Sequence, residues 1–152
     1  YRPAWGSRFN FTSYTADLRR FWKLTEKRVM AFQLFGTYAQ GEVPFNQLPM
    51  LGGESLMRGY YLGRFRDHAY FAAQAEHRWL PFGFSKRWGG AVFAALGNVA
   101  AAPSGLWKQQ PRWAAGALLR WLVLLFNDTA LSDIYARTIE GGGFYFFTGE
   151  AF

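Results

Sequence analysis

Cysteine is absent from the 152-residue chain, which excludes a disulfide-stapled scaffold and a zinc-cysteine domain. Charge is scarce, at 18% against 20% aromatic residues, so there is ample surface to bury and the chain is not a disordered segment. Long apolar runs are missing as well. The longest, Trp113 to Phe126, is broken by Arg120, and none reaches the roughly 20 residues that a spanning helix needs. No basic start followed by an apolar stretch opens the chain, which begins Tyr1-Arg2-Pro3, so a mature product or a fragment is expected. An excess of 17 Lys and Arg over 10 Asp and Glu would suit nucleic acid in number but not in placement. The basic residues are scattered along the chain, with no run or helix face, and no nucleic-acid partner is expected.

What is present is alternation. A mean hydropathy of -0.11 fits a chain that is 51% apolar only if polar residues are interspersed among the apolar ones. From His68 to Leu80 the even positions include Gln74, Glu76 and Arg78, and the odd ones Phe71, Ala73, Ala75 and Trp79, which is the period of a strand. Met30, Phe32, Leu34 and Tyr38 form a second stripe opposed by Gln33 and Thr37. Trp113, Ala115, Ala117, Leu119, Trp121 and Val123 form a third, although that run also fits a helix. Arg8 to Arg20, Trp88 to Ala100, Thr129 to Thr138 and Gly143 to Phe152 bring the expected strands to about seven. Their short, turn-rich connections make neighbours antiparallel. Gly41 to Asp67 has little alternation and reads as one long, glycine-rich loop, a length that is usually functional or disordered.

The apolar stripe is rich in aromatics and alanine, with Trp79, Trp88, Trp107, Trp113 and Tyr60-Tyr61 near strand ends. Aromatic girdles around an apolar band mark outer-membrane barrels, whose other face is polar, whereas the same rings also fit the core of a soluble sandwich. The expected fold class is all-β, an antiparallel transmembrane β-barrel, with Phe71, Ala73, Ala75 and Trp79 toward lipid and Gln74, Glu76 and Arg78 toward the lumen. Phe144, Phe146 and the final Phe152 share one face of the last strand, resembling the terminal signal by which bacterial barrels are recognised for assembly. Glu150 departs from the apolar residue usual there.

The loop carries a more specific pattern: Gly41-Glu42-Val43-Pro44-Phe45, then Leu51-Gly52-Gly53-Glu54-Ser55-Leu56-Met57-Arg58-Gly59-Tyr60, then Gly63-Arg64-Phe65-Arg66-Asp67. Together with Glu76-His77-Arg78 and the ending Gly149-Glu150-Ala151-Phe152, it closely resembles the bacterial surface antigen family, the barrel domain of BamA- and TamA-like proteins. The resemblance implies that residues 1–152 are the C-terminal part of a larger outer-membrane barrel. It also implies that residues 41–67 fold into the lumen with their arginine pinned to an acidic wall. By position Arg58 is that arginine, Glu76 its expected partner, and Gly59 the residue that permits a tight turn beside Tyr60. A guanidinium withdrawn from water suits a planar, bidentate acceptor.

Departures from the family pattern are also visible. Phe93-Ala94-Ala95-Leu96-Gly97 has Ala95 where a carboxylate is usual, Leu118 stands where a second glycine is expected, and Asp133-Ile134-Tyr135-Ala136 reads one residue out of register. A slip of one residue flips side chains unless a bulge absorbs it.

Catalysis is not expected. His68 and His77 fall on opposite faces, Ser55 and Ser104 lack a nucleophile elbow, and Gly52-Gly53 is not followed by the Lys-Ser/Thr of a phosphate loop. No cofactor or metal is expected. By resemblance the function is non-covalent insertion or translocation of proteins at the bacterial outer membrane. A seam between first and last strands would open there to incoming strands, and Gly141 to Gly143 fits either a weak seam or a plain hairpin turn. Expected partners are the lipid bilayer, unfolded outer-membrane proteins or a passenger domain, and machinery that recognises the last strand. A structural barrel that only anchors or exports a passenger is the alternative, and a soluble lipocalin-like barrel a third reading.

Overall fold

In the computed structural model, residues 9–79, 87–124 and 129–148 are described. Long strands dominate: β1 (Phe11–Thr25), β2 (Arg28–Gly41), β5 (Ala69–Trp79), β6 (Trp88–Ala100), β7 (Arg112–Leu124), β8 (Thr129–Thr138) and β9 (Gly141–Thr148). The remaining two, β3 (Met50–Leu51) and β4 (Phe65–Arg66), lie within the long loop. One sheet of seven strands runs in the order β1-β2-β5-β6-β7-β8-β9, all antiparallel, with β3 and β4 pairing separately. β1 and β9 are its edges, so the fold is a partial barrel that is not closed. The Trp113 to Val123 stripe is strand and not helix.

Because cross-strand partners share a face, register sorts the side chains into two populations. Arg19, Gln33, Gln74, Ala95, Ala114 and Thr138 are successive partners on the face that carries the loop. Leu18, Leu34, Ala73, Leu96 and Trp113 are successive partners on the opposite, outer face. Burial follows this division with inverted polarity. Gln33, Gln74, Glu76, Arg78 and Arg120 are buried on the loop face, whereas Leu18, Leu34, Val92, Leu96, Trp113 and Leu119 are exposed on the outer one. A water-soluble domain hides its leucines and solvates its charges; this sheet does the reverse.

Aromatic rings stand along the outer face in pairs. Trp88 stacks on Trp121 with ring centroids 6.0 Å apart, Trp22 meets Phe32 edge-on at 4.9 Å, and Tyr135 lies 4.9 Å from Phe144. Trp107, from the β6–β7 connection, folds over Phe71 at 4.7 Å. The Asp133-Ile134-Tyr135-Ala136 stretch of β8 pairs in one unbroken register with Leu119 to Gly116 of β7, and the register shift of this pair lies beyond it, between Leu122 and Leu124. Ile134 and Ala136 are fully buried on the loop face with Leu118 and Phe93, and Asp133 is exposed.

Candidate functional site

The loop between β2 and β5 lies against the sheet as a folded unit. Its Leu51, Met57 and Tyr60 are buried and cluster with Tyr70, Ala72, Ala95 and Ala114 of the sheet. The β3 and β4 ladder closes the base, pairing Met50 with Arg66 and Leu51 with Phe65. Gly52 and Gly53 reverse the chain with φ of 113° and 123°, and the Gly53 N–H donates to Tyr60 O at 3.1 Å. Tyr60 is the loop's anchor on β7: its hydroxyl donates to the Trp113 carbonyl at 3.1 Å and its ring meets Phe65 edge-on at 5.3 Å.

Arg58 is 0% exposed, and its Nη2 donates to Glu76 Oε2 at 2.5 Å. The acceptor is shared, since Glu76 Oε1 accepts from Arg78 Nε at 2.7 Å. The contact is therefore single-pronged, which corrects the expectation of a bidentate fork. Among the described residues, Arg58 Nε and Nη1 have no hydrogen-bond partner. What covers them is an aromatic face: Arg58 Cζ sits 3.7 Å from the Phe93 ring centroid. Phe93 is the cross-strand partner of Glu76, so carboxylate and ring stand side by side under one guanidinium. Gly116 makes room for that ring, because a Cβ there would lie 2.7 Å from Phe93 Cζ. Burial lowers the Arg58 pKa below the usual guanidinium value, and the Glu76 charge opposes that shift.

Gly59 meets two demands at once. Its φ of 108° is a conformation that side-chain-bearing residues rarely adopt, and a Cβ there would be 2.5 Å from Thr138 Cγ2 and 3.2 Å from Ala136 Cβ. The Arg58-Gly59-Tyr60 triplet thus touches β5, β8 and β7 in turn. Beyond it, Arg64 forks onto Glu140 in the β8–β9 turn, with Nε to Oε2 at 2.9 Å and Nη2 to Oε1 at 3.1 Å. At the other flank, Gln74 Nε2 donates to the Ser55 carbonyl at 3.1 Å and to Gln33 Oε1 at 2.8 Å. Gln33 in turn donates to Asp17 Oδ1 at 2.8 Å.

Phe144 is 70% exposed beside Tyr135 on the outer face; Phe146 pairs with Asp133 in register; Phe152 lies outside the described residues. Ala95 is the partner of Gln74, buried in the apolar cluster under Met57 and Tyr60. His68 sits beside Asp67, 3.8 Å between Nδ1 and Oδ1, and His77 stacks on Trp79 at 4.2 Å. Among the described residues no group of acidic and histidine side chains is placed to hold a metal ion. Phe93 and the sharing by Arg78 were missed from sequence. Arg78 was legible, because residues two apart on a strand share a face.

An antiparallel sheet with one exposed apolar face and a polar face that carries a folded loop has the pattern of a membrane β-barrel protein, here a partial one. The chain belongs to the Omp85 superfamily, whose domain model matches residues 2–152. That membership is consistent with the surface antigen resemblance, and it makes the chain part of a family of bacterial outer-membrane proteins that assemble or translocate other proteins. Comparison with curated proteins returns no significant match.

Proposed function

We propose that this chain is the C-terminal barrel segment of an outer-membrane factor that inserts or translocates proteins without covalent chemistry. The outer face of the sheet meets lipid, the loop face lines the lumen, and the loop from 41 to 67 is latched inside. The observation that carries this reading is Arg58, fully buried between Glu76 and the Phe93 ring. Burying a guanidinium is costly even when it is paired, and an exposed charge would serve solubility, so a buried Arg58 points to a role in positioning the loop. Here the charge holds the loop to β5 while Gly59 and Arg64 hold it to β8 and the β8–β9 turn, so the loop braces the glycine-rich terminal hairpin.

The proposed partners are unfolded outer-membrane proteins whose strands pair with backbone at the sheet edge. Reconstitution of the protein in liposomes, with an unfolded outer-membrane barrel offered as substrate, tests this. Acceleration of substrate folding over empty liposomes, reduced by Glu76→Ala, is expected. A rate equal to that of empty liposomes would leave the chain an anchoring barrel.

A further inference from the structure

On the outer face, a groove of about 710 Å³ runs across the strands from β1 to β7. Its lining consists of three adjacent cross-strand rows: the outer-face row Leu18, Leu34, Ala73, Leu96 and Trp113, the outer-face row Arg20, Phe32, Ala75, Ala94 and Ala115, and the backbone between them. The next rows of the loop face are absent from the lining, which puts the groove on the outer side. The second row steps down to alanine at three successive strands, Ala75, Ala94 and Ala115, so at β6 and β7 a low wall faces Leu96 and Trp113, while at β5 both rows are alanine.

The groove slants. At β1 it ends beside Arg20, in the half of the strand nearer Thr25; at β7 it reaches Ala115, close to the strand end on the loop side. The cross-strand partner of Ala115 is Arg137, an exposed residue one position from the end of β8. Apart from Arg20 at its β1 end the channel is apolar, and it climbs from the interior of the sheet to a rim marked by Trp113 and, one strand beyond the lining, by Arg137. Five strands at about 4.8 Å spacing make it about 19 Å long. Half of a hydrocarbon core is about 15 Å thick.

Resting on the proposed lipid-facing orientation, we infer that this groove is a binding site for one anionic phospholipid, its acyl chain along the alanine step and its phosphate on Arg137. Trp113 at the rim sits at the level where indole rings prefer the boundary between headgroup and hydrocarbon. An Arg guanidinium matches a phosphate by paired, charge-assisted hydrogen bonds, whereas a zwitterionic headgroup presents a compensating cation to the same residue. Small side chains let the chain approach the backbone, and Leu96 and Trp113 give it lateral contact.

Quenching of Trp113 by brominated lipids tests the site, with the Trp113→Phe protein subtracted to isolate that ring from the other six tryptophans among the 7 present. In phosphatidylcholine vesicles, brominated phosphatidylglycerol should quench Trp113 several-fold more than brominated phosphatidylcholine at equal mole fraction. Arg137→Gln should remove the preference, and Ala115→Leu, which fills the step, should weaken it; free inorganic phosphate should leave it unchanged. Equal quenching by both lipids would overturn the site while keeping the orientation. Absence of quenching by either would overturn the orientation on which it rests.

Discussion

At Glu76 one carboxylate serves two guanidiniums, and that sharing makes its two partners unequal. Removing one member of a buried pair leaves an uncompensated charge, so Arg58→Ala and Glu76→Ala should each cost about 2 to 5 kcal/mol in equilibrium unfolding from vesicles. Glu76→Ala takes the carboxylate from both Arg58 and Arg78 and should be the costlier of the two. Since both changes break one contact, their losses should fall short of adding in the double variant; simple additivity would show that the contact contributes no coupling. Phe93→Leu keeps an apolar side chain but removes the π face, and should cost about 0.5 to 2 kcal/mol; no loss would mean that the ring only fills space. Arg58, Gly59 and Glu76 stand out in the sequence because they carry a motif. Phe93 does not, because nothing in a strand's alternation tells a ring that packs apolar neighbours from one that lies under a cation.

Strands were legible where side chains alternate in size and polarity. Trp88–Ala100 and Thr129–Thr138 match the expected bounds, and β5 falls within the expected span. β1 runs Phe11–Thr25, displaced from the expected Arg8 to Arg20, because Trp22 and Leu24 continue the outer stripe to the turn at Glu26-Lys27. β9 starts at Gly141 rather than Gly143, since glycine has no side chain with which to mark a face. The loop's β3 and β4 are two residues each, too short for any period to register.

Inverted polarity yields a test at the level of the element. Leu34 is 49% exposed on the outer face, and Thr15 is exposed on the loop face clear of the loop. In a lipid-embedded sheet Leu34→Lys should cost about 2 to 4 kcal/mol near the midplane, and Thr15→Lys little. A soluble sheet would tolerate both equally. Gln74 is a poor reference for such a comparison, because it is buried in the amide chain from Ser55 to Asp17.

For the molecule as a whole, β1 and β9 are the edges of the sheet among the described residues, and a sheet edge invites pairing with another chain. The isolated chain should therefore associate in detergent, measured by light scattering coupled to size exclusion. A monodisperse monomer would point to edges that are covered. The absence of cysteine makes the central claim, a loop latched inside the sheet by Arg58 and Glu76, directly measurable, because a single introduced thiol reports on its site alone. Met57 is 0% exposed in the latched loop and Tyr61 is 82% exposed four residues on. In the protein reconstituted in vesicles, the Met57→Cys thiol should react with a membrane-impermeant maleimide many-fold more slowly than the Tyr61→Cys thiol, and adding Glu76→Ala should bring the two rates together. Equal rates in the otherwise unaltered protein would contradict a latched loop.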